Sequence, residues 1–451
     1  MTFPHYSEYK DSGVAWLGEV PGHWVITKTK YVTSFHTGWT PPTGKSESYS
    51  GENLWANISD LGEKWIFDTA KRISDEAVAS ARISPSPKGS LLFSFKLSIG
   101  QVSFAGQDMF TNEAIATFIP SEMVDVNYAY YAFPFFLVKN AAENIYGAKL
   151  LNQELIRAAT LALPDIREQS TIAAFLDRET GKIDELIAEQ QRLVELLAEK
   201  RQAVISHAVT KGMNPNARMK DSGIEWLGEV PEHWEVRAIK HIVSTPVTDG
   251  PHETPNFPDE GIPFVSAEAI SSGKIDFGKI RGFISEADHL RYSEKYRPQR
   301  GDIYMVKSGA TTGVTAIVET DIEFNIWSPL AVIRCGEKAL PRFVLNFMRS
   351  KNFQEAVTLN WSFGTQQNIG MGVVENLSVP VPPIEEQQRI AALLDSESAK
   401  FDALAAEANR AIELLQERRS ALISAAVTGK IDVRSLAASL HSDEAVVAED
   451  S

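Results

Sequence analysis

The chain has little of what most enzymes and exported proteins carry. Among its 451 residues the only cysteine is Cys335, so neither an internal disulfide nor a thiolate cluster around zinc can form. The sequence contains no GxxxxGK[ST] phosphate loop, no GxGxxG that opens a helix after a strand, no HExxH and no paired Cys-x-x-Cys. It also has no NPP or DPP tripeptide followed by an aromatic residue. We therefore predict a chain that holds no metal and no catalytic group.

Two further absences concern location and charge. The sequence shows no basic and apolar leader, and no apolar run approaches the roughly 20 residues that a membrane span needs. We expect a cytoplasmic protein that does not contact a membrane. The net charge is −15, but residues 25–163 hold 12 basic against 13 acidic residues and residues 235–381 hold 15 against 17. Both stretches are nearly neutral, so the acidic surplus lies outside them and does not exclude nucleic-acid binding.

Two blocks of sequence occur twice. KDSGVAWLGEVPGHW at residues 10–24 returns as KDSGIEWLGEVPEHW at residues 220–234, with 12 of 15 positions identical. PDIREQSTIAAFLD at 164–177 returns as PPIEEQQRIAALLD at 382–395. Constant blocks thus alternate with divergent stretches, as in a tandem duplication. We predict a first domain at residues 1–163, a long helix at 164–212, a second domain at 213–381, a second long helix at 382–430 and an acidic flexible tail at 431–451.

The second block opens a stretch that predicts a long helix in each copy. Between Arg167 and Gly212 there is no proline and a single glycine, Gly181, so a helix of about 40 residues fits. Apolar residues recur at heptad spacing, which predicts a coiled-coil seam buried by antiparallel pairing of the two helices. The alternative is two independent helices, each packed on its own domain. The predicted seam residues are Leu176, Ile183, Leu186, Leu193, Leu197, Val204, Leu394, Phe401, Leu404, Leu415 and Leu422.

The divergent stretches combine short β-branched or aromatic runs with turn signals. We therefore predict an α+β fold, in which two mixed α/β domains are separated by two long antiparallel coiled-coil helices with a pseudo-twofold internal repeat. The aromatic residues of segment 128–136 are predicted to pack in a core. His23 and His233 lack a partner at ligand spacing and are predicted to be structural. The runs that predict strands are NLWANISDL at 53–61, SLLFSFKL at 90–97, IPFVSAEAI at 262–270 and DIYMVKSG at 302–309.

Polar residues at predicted turns are the candidates for contacting nucleic acid. Asn and Gln can contact adenine, Lys suits guanine or phosphate, and Asp or Glu can accept a hydrogen bond from cytosine. For each residue the alternative is an ordinary turn or solvent-facing group. SGATTG at 308–313 lacks the GK[ST] ending, which favours backbone contact over a nucleotide loop. The candidates are Asn57, Ser59, Asp60, Lys96, Lys149, Asn152, Asp249, His252, Glu253, Lys307, Ser308, Thr311, Gln366, Gln367 and Asn368.

Six motifs stand out along the chain: the repeated KDSG..WLGEVP.HW block, SFKLSIGQ at 94–101, TNEAIA at 111–116, GPHETP at 250–255, NIWSPLAVIR at 325–334 and PPIEEQ at 382–387. Together these motifs resemble those of the specificity subunit of type I restriction-modification enzymes, and the resemblance spans nearly the whole chain. It implies two target-recognition domains, each of which reads one half of a bipartite, asymmetric target in double-stranded DNA, while the helices set the spacer.

The same resemblance implies partners for a non-catalytic chain. Two modification (methyltransferase) subunits would dock on the conserved segments, and restriction (translocase/endonuclease) subunits would join a larger assembly. S-adenosylmethionine, ATP and magnesium would belong to these partners, with no cofactor in this chain. Three alternatives stay open: a stand-alone nuclease or methyltransferase, a coiled-coil protein scaffold that does not touch DNA, and a specificity chain of a restriction-free modification or phage-defence system.

Overall fold

The structure is a computed structural model that describes residues 3–42, 44, 46–143, 147, 149–361 and 367–435. The chain divides into two compact units. The first unit consists of Met1–Glu189 and Ala411–Ser451, and the second unit is Gln190–Arg410. Each unit therefore contains one mixed domain and one half of each of two long helices.

The first unit has a core of three layers. Its five-stranded sheet packs one face on the helix Val126–Lys139 and the other face on a three-stranded sheet. The strands of the five-stranded sheet follow the order Phe35–Thr37, Ile115–Phe118, Leu91–Ser94, Val102–Ala105 and Trp65–Ile66. Those of the three-stranded sheet follow the order Phe110–Thr111, Asn53–Ala56 and Lys71–Ile73.

Shorter elements complete the first unit. Three two-stranded ladders pair Tyr9–Asp11 with Glu19–Pro21, Val25–Lys28 with Thr160–Leu163, and Ala142–Glu143 with Lys149–Leu150. The remaining helices are Thr29–Val32, Asp75–Ala81 and Gln153–Ala158, with 3-10 turns at Ser46–Tyr49 and Ile58–Asp60.

The second unit repeats the layers with different residues. A four-stranded sheet packs on the helix Pro341–Met348 through one face and on a three-stranded sheet through the other. The four strands follow the order Thr248–Asp249, Leu330–Ile333, Ile303–Val306 and Thr315–Ile317. The three strands follow the order Asn325–Ile326, Ile262–Val265 and Gly282–Ile284.

Its other elements correspond in part to those of the first unit. Ladders pair Met219–Asp221 with Glu229–Pro231 and Glu235–Ala238 with Ser378–Val381. The remaining helices are Glu286–Lys295, Lys351–Leu359 and Met371–Val374, with 3-10 turns at Ile239–His241, Glu268–Ile270 and Phe277–Lys279.

The two divergent stretches thus share one strand order, apart from the edge strand Trp65–Ile66 of the five-stranded sheet, which the described residues of the second unit do not repeat. In both three-stranded sheets the central strand pairs in parallel with one neighbour and antiparallel with the other. A glycine stands after the first strand of each larger sheet, where a Cβ atom on Gly38 would lie 1.7 Å from the Thr111 carbonyl oxygen and one on Gly250 would lie 2.1 Å from that of Ile326. Only glycine allows two backbone segments to approach each other this closely. Both units therefore keep the same close contact between the segment after the first strand and the strand that it passes.

The long helices span Ile166–Lys211 and Ile384–Val427 and confirm the predicted elements. Gly212 and Gly429 follow them with φ of +77° and +73°, the left-handed conformation that ends helices. In the first unit, the side chain of Arg419 donates two hydrogen bonds to Asp184 at 2.8 and 3.2 Å. In the second unit Arg201 donates to Asp402 at 2.5 Å. In each unit the two helices run antiparallel, as predicted.

The buried line between the helices is narrower than the predicted seam. Leu176, Ile183, Leu394, Phe401 and Leu422 are buried, while Leu197, Val204 and Leu415 are half-buried. The prediction was wrong for Leu186, Leu193 and Leu404, which are 44%, 41% and 48% exposed. These three leucines belong to the neighbouring heptad position, which turns away from the helix contact.

The repeated tryptophan block is anchored by a glutamate of each long helix. Glu168 is 5% exposed and accepts hydrogen bonds from His23 at 2.7 Å, Tyr6 at 2.7 Å and Trp24 at 3.1 Å. Burial and this hydrogen bond raise the pKa of Tyr6 well above its ordinary range, so the hydroxyl stays a donor. The prediction of a structural histidine gains a physical reason here, because the partner carboxylate comes from a helix far along the chain.

The second copy of this anchor is less complete. His233 bonds Glu386 at 2.8 Å, but the indole nitrogen of Trp234 has no hydrogen-bond partner in the part of the chain that the structure describes. Among the same residues no group of three or more His, Cys, Asp or Glu side chains could hold a metal ion. None of the described helices is long and apolar enough to cross a membrane.

The aromatic segment forms the core helix of the first unit. Tyr128, Tyr131, Phe133 and Phe136 are buried within Val126–Lys139, and Phe133 packs edge-on against Phe118 with ring centroids 4.8 Å apart. This packing confirms the predicted core role, since buried rings are not available to stack on bases.

Candidate nucleic-acid interface

The first candidate group forms a tight turn after a central strand. Asn57 caps the 3-10 turn Ile58–Asp60: its side-chain oxygen accepts from the Ser59 backbone nitrogen at 2.7 Å, and Asp60 accepts from the Asn57 backbone nitrogen at 2.8 Å. Asp60 also accepts from the Ala70 backbone nitrogen at 3.0 Å. The acceptors of Asn57 and Asp60 therefore hold the turn itself, and Ser59 is the exposed member.

Lys96 lies at the tip of the hairpin between Leu91–Ser94 and Val102–Ala105. Its side chain is 50% exposed, and its ammonium lies 3.7 Å from a carboxylate oxygen of Glu113. A hydrogen bond from Thr40, assisted by nearby Lys96, lowers the pKa of the Glu113 carboxyl, although partial burial opposes the shift. The long, weakly held ion pair leaves Lys96 able to meet a phosphate group.

Lys149 lies in a short strand, and Asn152 lies between that strand and the next helix. Lys149 is exposed in the short strand Lys149–Leu150. Asn152 is the N-cap of Gln153–Ala158 and accepts from the Leu155 backbone nitrogen at 2.8 Å. Asn152 therefore has a capping role that the sequence analysis did not assign, and its side-chain oxygen already has a partner.

Asp249 is the centre of a buried ion-pair cluster in the second unit. It is 3% exposed, and its carboxylate lies 2.6 Å from the Lys295 ammonium. The Lys307 ammonium and the Nε2 atom of His252 each lie 3.0 Å from the same carboxylate. Burial acts to raise the pKa of Asp249, but hydrogen bonds from Lys295 and Lys307 outweigh it and hold the pKa below its ordinary value. The side chain of Lys307 is only 13% exposed.

These contacts show how two candidates, Asp249 and Lys307, are oriented. The carboxylate of Asp249 and the ammonium of Lys307 face each other inside the unit, so in this conformation neither is presented to a base or phosphate. Separating them would leave a buried charge unpaired, which is strongly unfavourable. His252, by contrast, has a side chain that is 71% exposed.

Glu253 anchors the loop that follows. Its carboxylate accepts from the Tyr292 hydroxyl at 2.8 Å and lies 2.6 Å from the Arg291 guanidinium. Its carbonyl accepts from the Trp327 indole at 3.2 Å, and the Arg281 guanidinium lies 4.3 Å above the Trp327 ring. Arg281, Arg291 and Trp327 were not among the predicted candidates; Trp327 lies in the NIWSP motif, whereas neither arginine lies in a recognised motif.

The remaining candidates of the second unit meet at one hairpin tip. The Gly309 backbone nitrogen donates to the Gln367 carbonyl at 3.0 Å, the Ile369 nitrogen donates to the Lys307 carbonyl at 2.8 Å, and Ser308 forms a β-bridge with Asn368. Gln367 and Asn368 are exposed, while Ser308 and Thr311 are half-buried. The structure thus joins two segments that are far apart in sequence. Gln366 lies outside the described residues.

The two hairpin tips occupy the same place in matching sheets but differ in chemistry. Lys96 is half-exposed at the first tip, while Lys307 turns inward to Asp249 at the second. Because the scaffold is the same, these differences come from the loop side chains. Two units that share a fold but present different polar groups are suited to bind two ligands that are chemically related but not identical.

Comparisons with known proteins agree with this architecture. The family model described as Type I restriction modification DNA specificity domain matches residues 21–196 and 231–414. The EcoBI specificity subunit of Escherichia coli is 24% identical over 321 residues, covering 69% of this chain and 67% of that protein. The MjaIX specificity subunit of Methanocaldococcus jannaschii is 24% identical over 452 residues, covering 97% and 99%.

A solved structure supports the fold. A chain from a study of complex assembly and conformational transition of the type I R-M system matches with a TM-score of 0.67 at 16% identity, covering 90% of this chain and 98% of that chain. At this identity the likeness concerns the fold alone. The two mixed α/β domains and the two long helices agree with the family model, which matches in both halves of the chain. Because the family model covers most of both halves, the chain belongs to the type I restriction-modification DNA specificity family, as a sequence-specificity subunit.

Proposed function

We propose that each unit reads one half of a bipartite, asymmetric target in double-stranded DNA. The observation that carries this proposal is the shared strand order of the two units combined with different side chains at matching loops. Duplication preserves the scaffold, so the same face of each unit meets the duplex. Divergence at the loops then selects different bases, since a few side chains per domain are enough to specify them.

We propose that DNA is contacted by the exposed and half-buried candidates that neither cap a turn or helix nor form the pair of Asp249 and Lys307. Asp249 and Lys307 are assigned instead to positioning the loop that bears His252, because their charges neutralise each other inside the unit. Asn57, Asp60 and Asn152 hold turns and helix ends, so any base contact would use their remaining polar edges. Gln366 stays a prediction. The proposed contact residues are Ser59, Lys96, Lys149, His252, Glu253, Ser308, Thr311, Gln367 and Asn368.

The long helices are proposed to set the spacer and to dock two modification subunits. A helix of 46 residues has a fixed rise of about 1.5 Å per residue, so its length fixes a distance along DNA. Leu186, Leu193 and Leu404 support docking, since these apolar side chains are 44%, 41% and 48% exposed on the two long helices. S-adenosylmethionine, ATP and magnesium are proposed to act on the modification and restriction subunits, and the assembly to work in the cytoplasm.

The central test maps methylated adenine across a genome with and without this gene, and again after residues 25–163 are replaced by another such domain. The expected result is a bipartite motif in which only one half changes. A matched exchange of residues 235–381 should change only the other half. Loss of no motif, or a change in both halves after one exchange, would contradict the proposal.

A second test addresses the helices. Inserting four residues into both helices, near Glu195 and Glu413, adds about 6 Å and rather more than one turn to each. Both half-sites should stay the same while the length of the unread spacer changes. A matched substitution of four surface residues at the same places should leave the spacer unchanged. A constant spacer after the insertions would refute the assignment of the helices as the spacing element.

A further inference from the structure

One apolar side chain stands out at the hairpin tip of the first unit. Leu97 is 90% exposed, the largest exposure of any large apolar side chain in the part of the chain that the structure describes. It lies in the turn between Leu91–Ser94 and Val102–Ala105, whose own residues are nearly all buried. A leucine that the core does not need is presented to solvent at the end of a rigid hairpin.

The backbone at this leucine is strained. Leu97 has a φ of +56°, the left-handed region that bulky residues rarely adopt. The turn holds it there: the Ser94 hydroxyl donates to the Lys96 carbonyl at 3.0 Å, the Ile99 nitrogen donates to the Leu97 carbonyl at 2.9 Å, and the Gly100 nitrogen donates to the Ser94 carbonyl at 2.9 Å. Strain that the surroundings enforce is typical of functional positions. Arg82 also has positive φ, but there it forms a helix C-cap.

The surroundings of Leu97 fit a duplex. Lys96 beside it is half-exposed, and Ser98 and Gly100 are small, so the tip can approach a phosphate backbone closely. The matching tip of the second unit, Lys307–Gly313, contains no large apolar side chain. The exposed leucine is therefore a property of one unit and is not required by the shared fold.

We propose that Leu97 acts as a wedge that inserts between two adjacent base pairs of the half-site contacted by the first unit. Apolar wedges of this kind unstack a base step and bend the duplex, and their cost depends on the sequence that is deformed. Leu97 would then contribute to specificity at a step where it makes no hydrogen bond. The inference rests on the proposed function, because it requires that the first unit face DNA.

The test uses the full chain assembled with its modification subunits. The probe is a duplex carrying the motif mapped in cells, in which 2-aminopurine replaces one adenine at a time in the half-site assigned to residues 25–163. Fluorescence of 2-aminopurine rises when the base unstacks. Wild type should show a several-fold rise at one step and none at distant positions.

Three variants and one control separate the wedge from a structural role. Leu97→Ala and Leu97→Gly should remove the fluorescence rise and weaken binding of the unlabelled motif duplex about ten-fold, while Leu97→Met should keep both. Leu97→Gly is decisive because glycine adopts a positive φ freely, so the hairpin is retained without the side chain. Leu359→Ala, which removes another leucine that is 68% exposed, should behave as wild type.

Each remaining outcome overturns the inference. Equal fluorescence in wild type and Leu97→Ala excludes a wedge, as does a wild type with no rise at any step. Weaker binding of modification subunits by Leu97→Ala, with unchanged fluorescence, would assign Leu97 to a protein contact instead. An assembly that binds every duplex equally would reject the proposed function itself, a result distinct from the others because no motif preference would exist to be altered.

Discussion

Replacing Glu168 or its counterpart Glu386 by alanine should have very different effects on stability. Glu168→Ala removes the acceptor of two buried donors, the indole of Trp24 and the hydroxyl of Tyr6. Each buried donor left without a partner costs about 1–3 kcal/mol, so we expect a loss of about 3 kcal/mol or more.

The loss expected for Glu386→Ala is smaller. Its carboxylate bonds the ring of His233, whose side chain is 53% exposed and can bond to water instead. The Trp234 indole nitrogen loses no hydrogen bond in this variant, since it already lacks a partner among the described residues. We expect a cost of about 0.5–1 kcal/mol, the net value of an ordinary hydrogen bond.

Differential scanning calorimetry of the full chain measures both effects. At about 2–4 °C per kcal/mol for units of this size, Glu168→Ala should lower the Tm of the affected transition by about 6–12 °C and Glu386→Ala by less than about 4 °C. A double-mutant cycle with Tyr6→Phe should show coupling of about 1 kcal/mol, because removing the hydroxyl removes one stranded donor. Equal shifts for the two glutamate variants would refute the reasoning.

Two other predictions follow from burial and charge. Ile183→Ala should lower the free energy of unfolding, measured by urea titration, by about 2–4 kcal/mol, because Ile183 is only 5% exposed. Leu186→Ala should lower it by less than about 1 kcal/mol, because Leu186 is 44% exposed. Similar losses for the two variants would show that the buried line between the helices is misplaced. The pKa of Asp249 is lower in the folded than in the unfolded chain. Its pairing with Lys295 and Lys307 therefore stabilises the folded state fully at pH values above the unfolded pKa of about 4, and this stabilisation is lost as the pH falls through the folded pKa. The urea midpoint of Asp249→Asn should therefore drop less than that of wild type between pH 6 and pH 2.5, and parallel declines would contradict this assignment.

Part of the site could be predicted because its signals are local. The hairpin tips containing Lys96 and Lys307 were recognisable from turn residues that follow apolar runs. Their roles were not, because the inward orientation of Lys307 depends on Asp249, 58 positions earlier in the chain. The wrong assignment of Leu186 has a similar origin, since heptad spacing alone does not show which of two neighbouring lines faces the partner helix.

The sequence by itself determined the duplication, the two long helices and the core position of the aromatic segment 128–136. Helical periodicity and repeated blocks are recorded in neighbouring residues, so Ile166–Lys211 and Ile384–Val427 begin and end within three residues of the predicted bounds. Only the tertiary structure decided that the divergent stretches share one strand order, and that Glu168 accepts hydrogen bonds from His23 and Trp24 of the repeated block and from Tyr6 before it. The strand pairs of the larger sheets join residues up to 84 positions apart, and the hydrogen bonds of Glu168 join residues 144 to 162 positions apart, so no local pattern in the sequence specifies such partners.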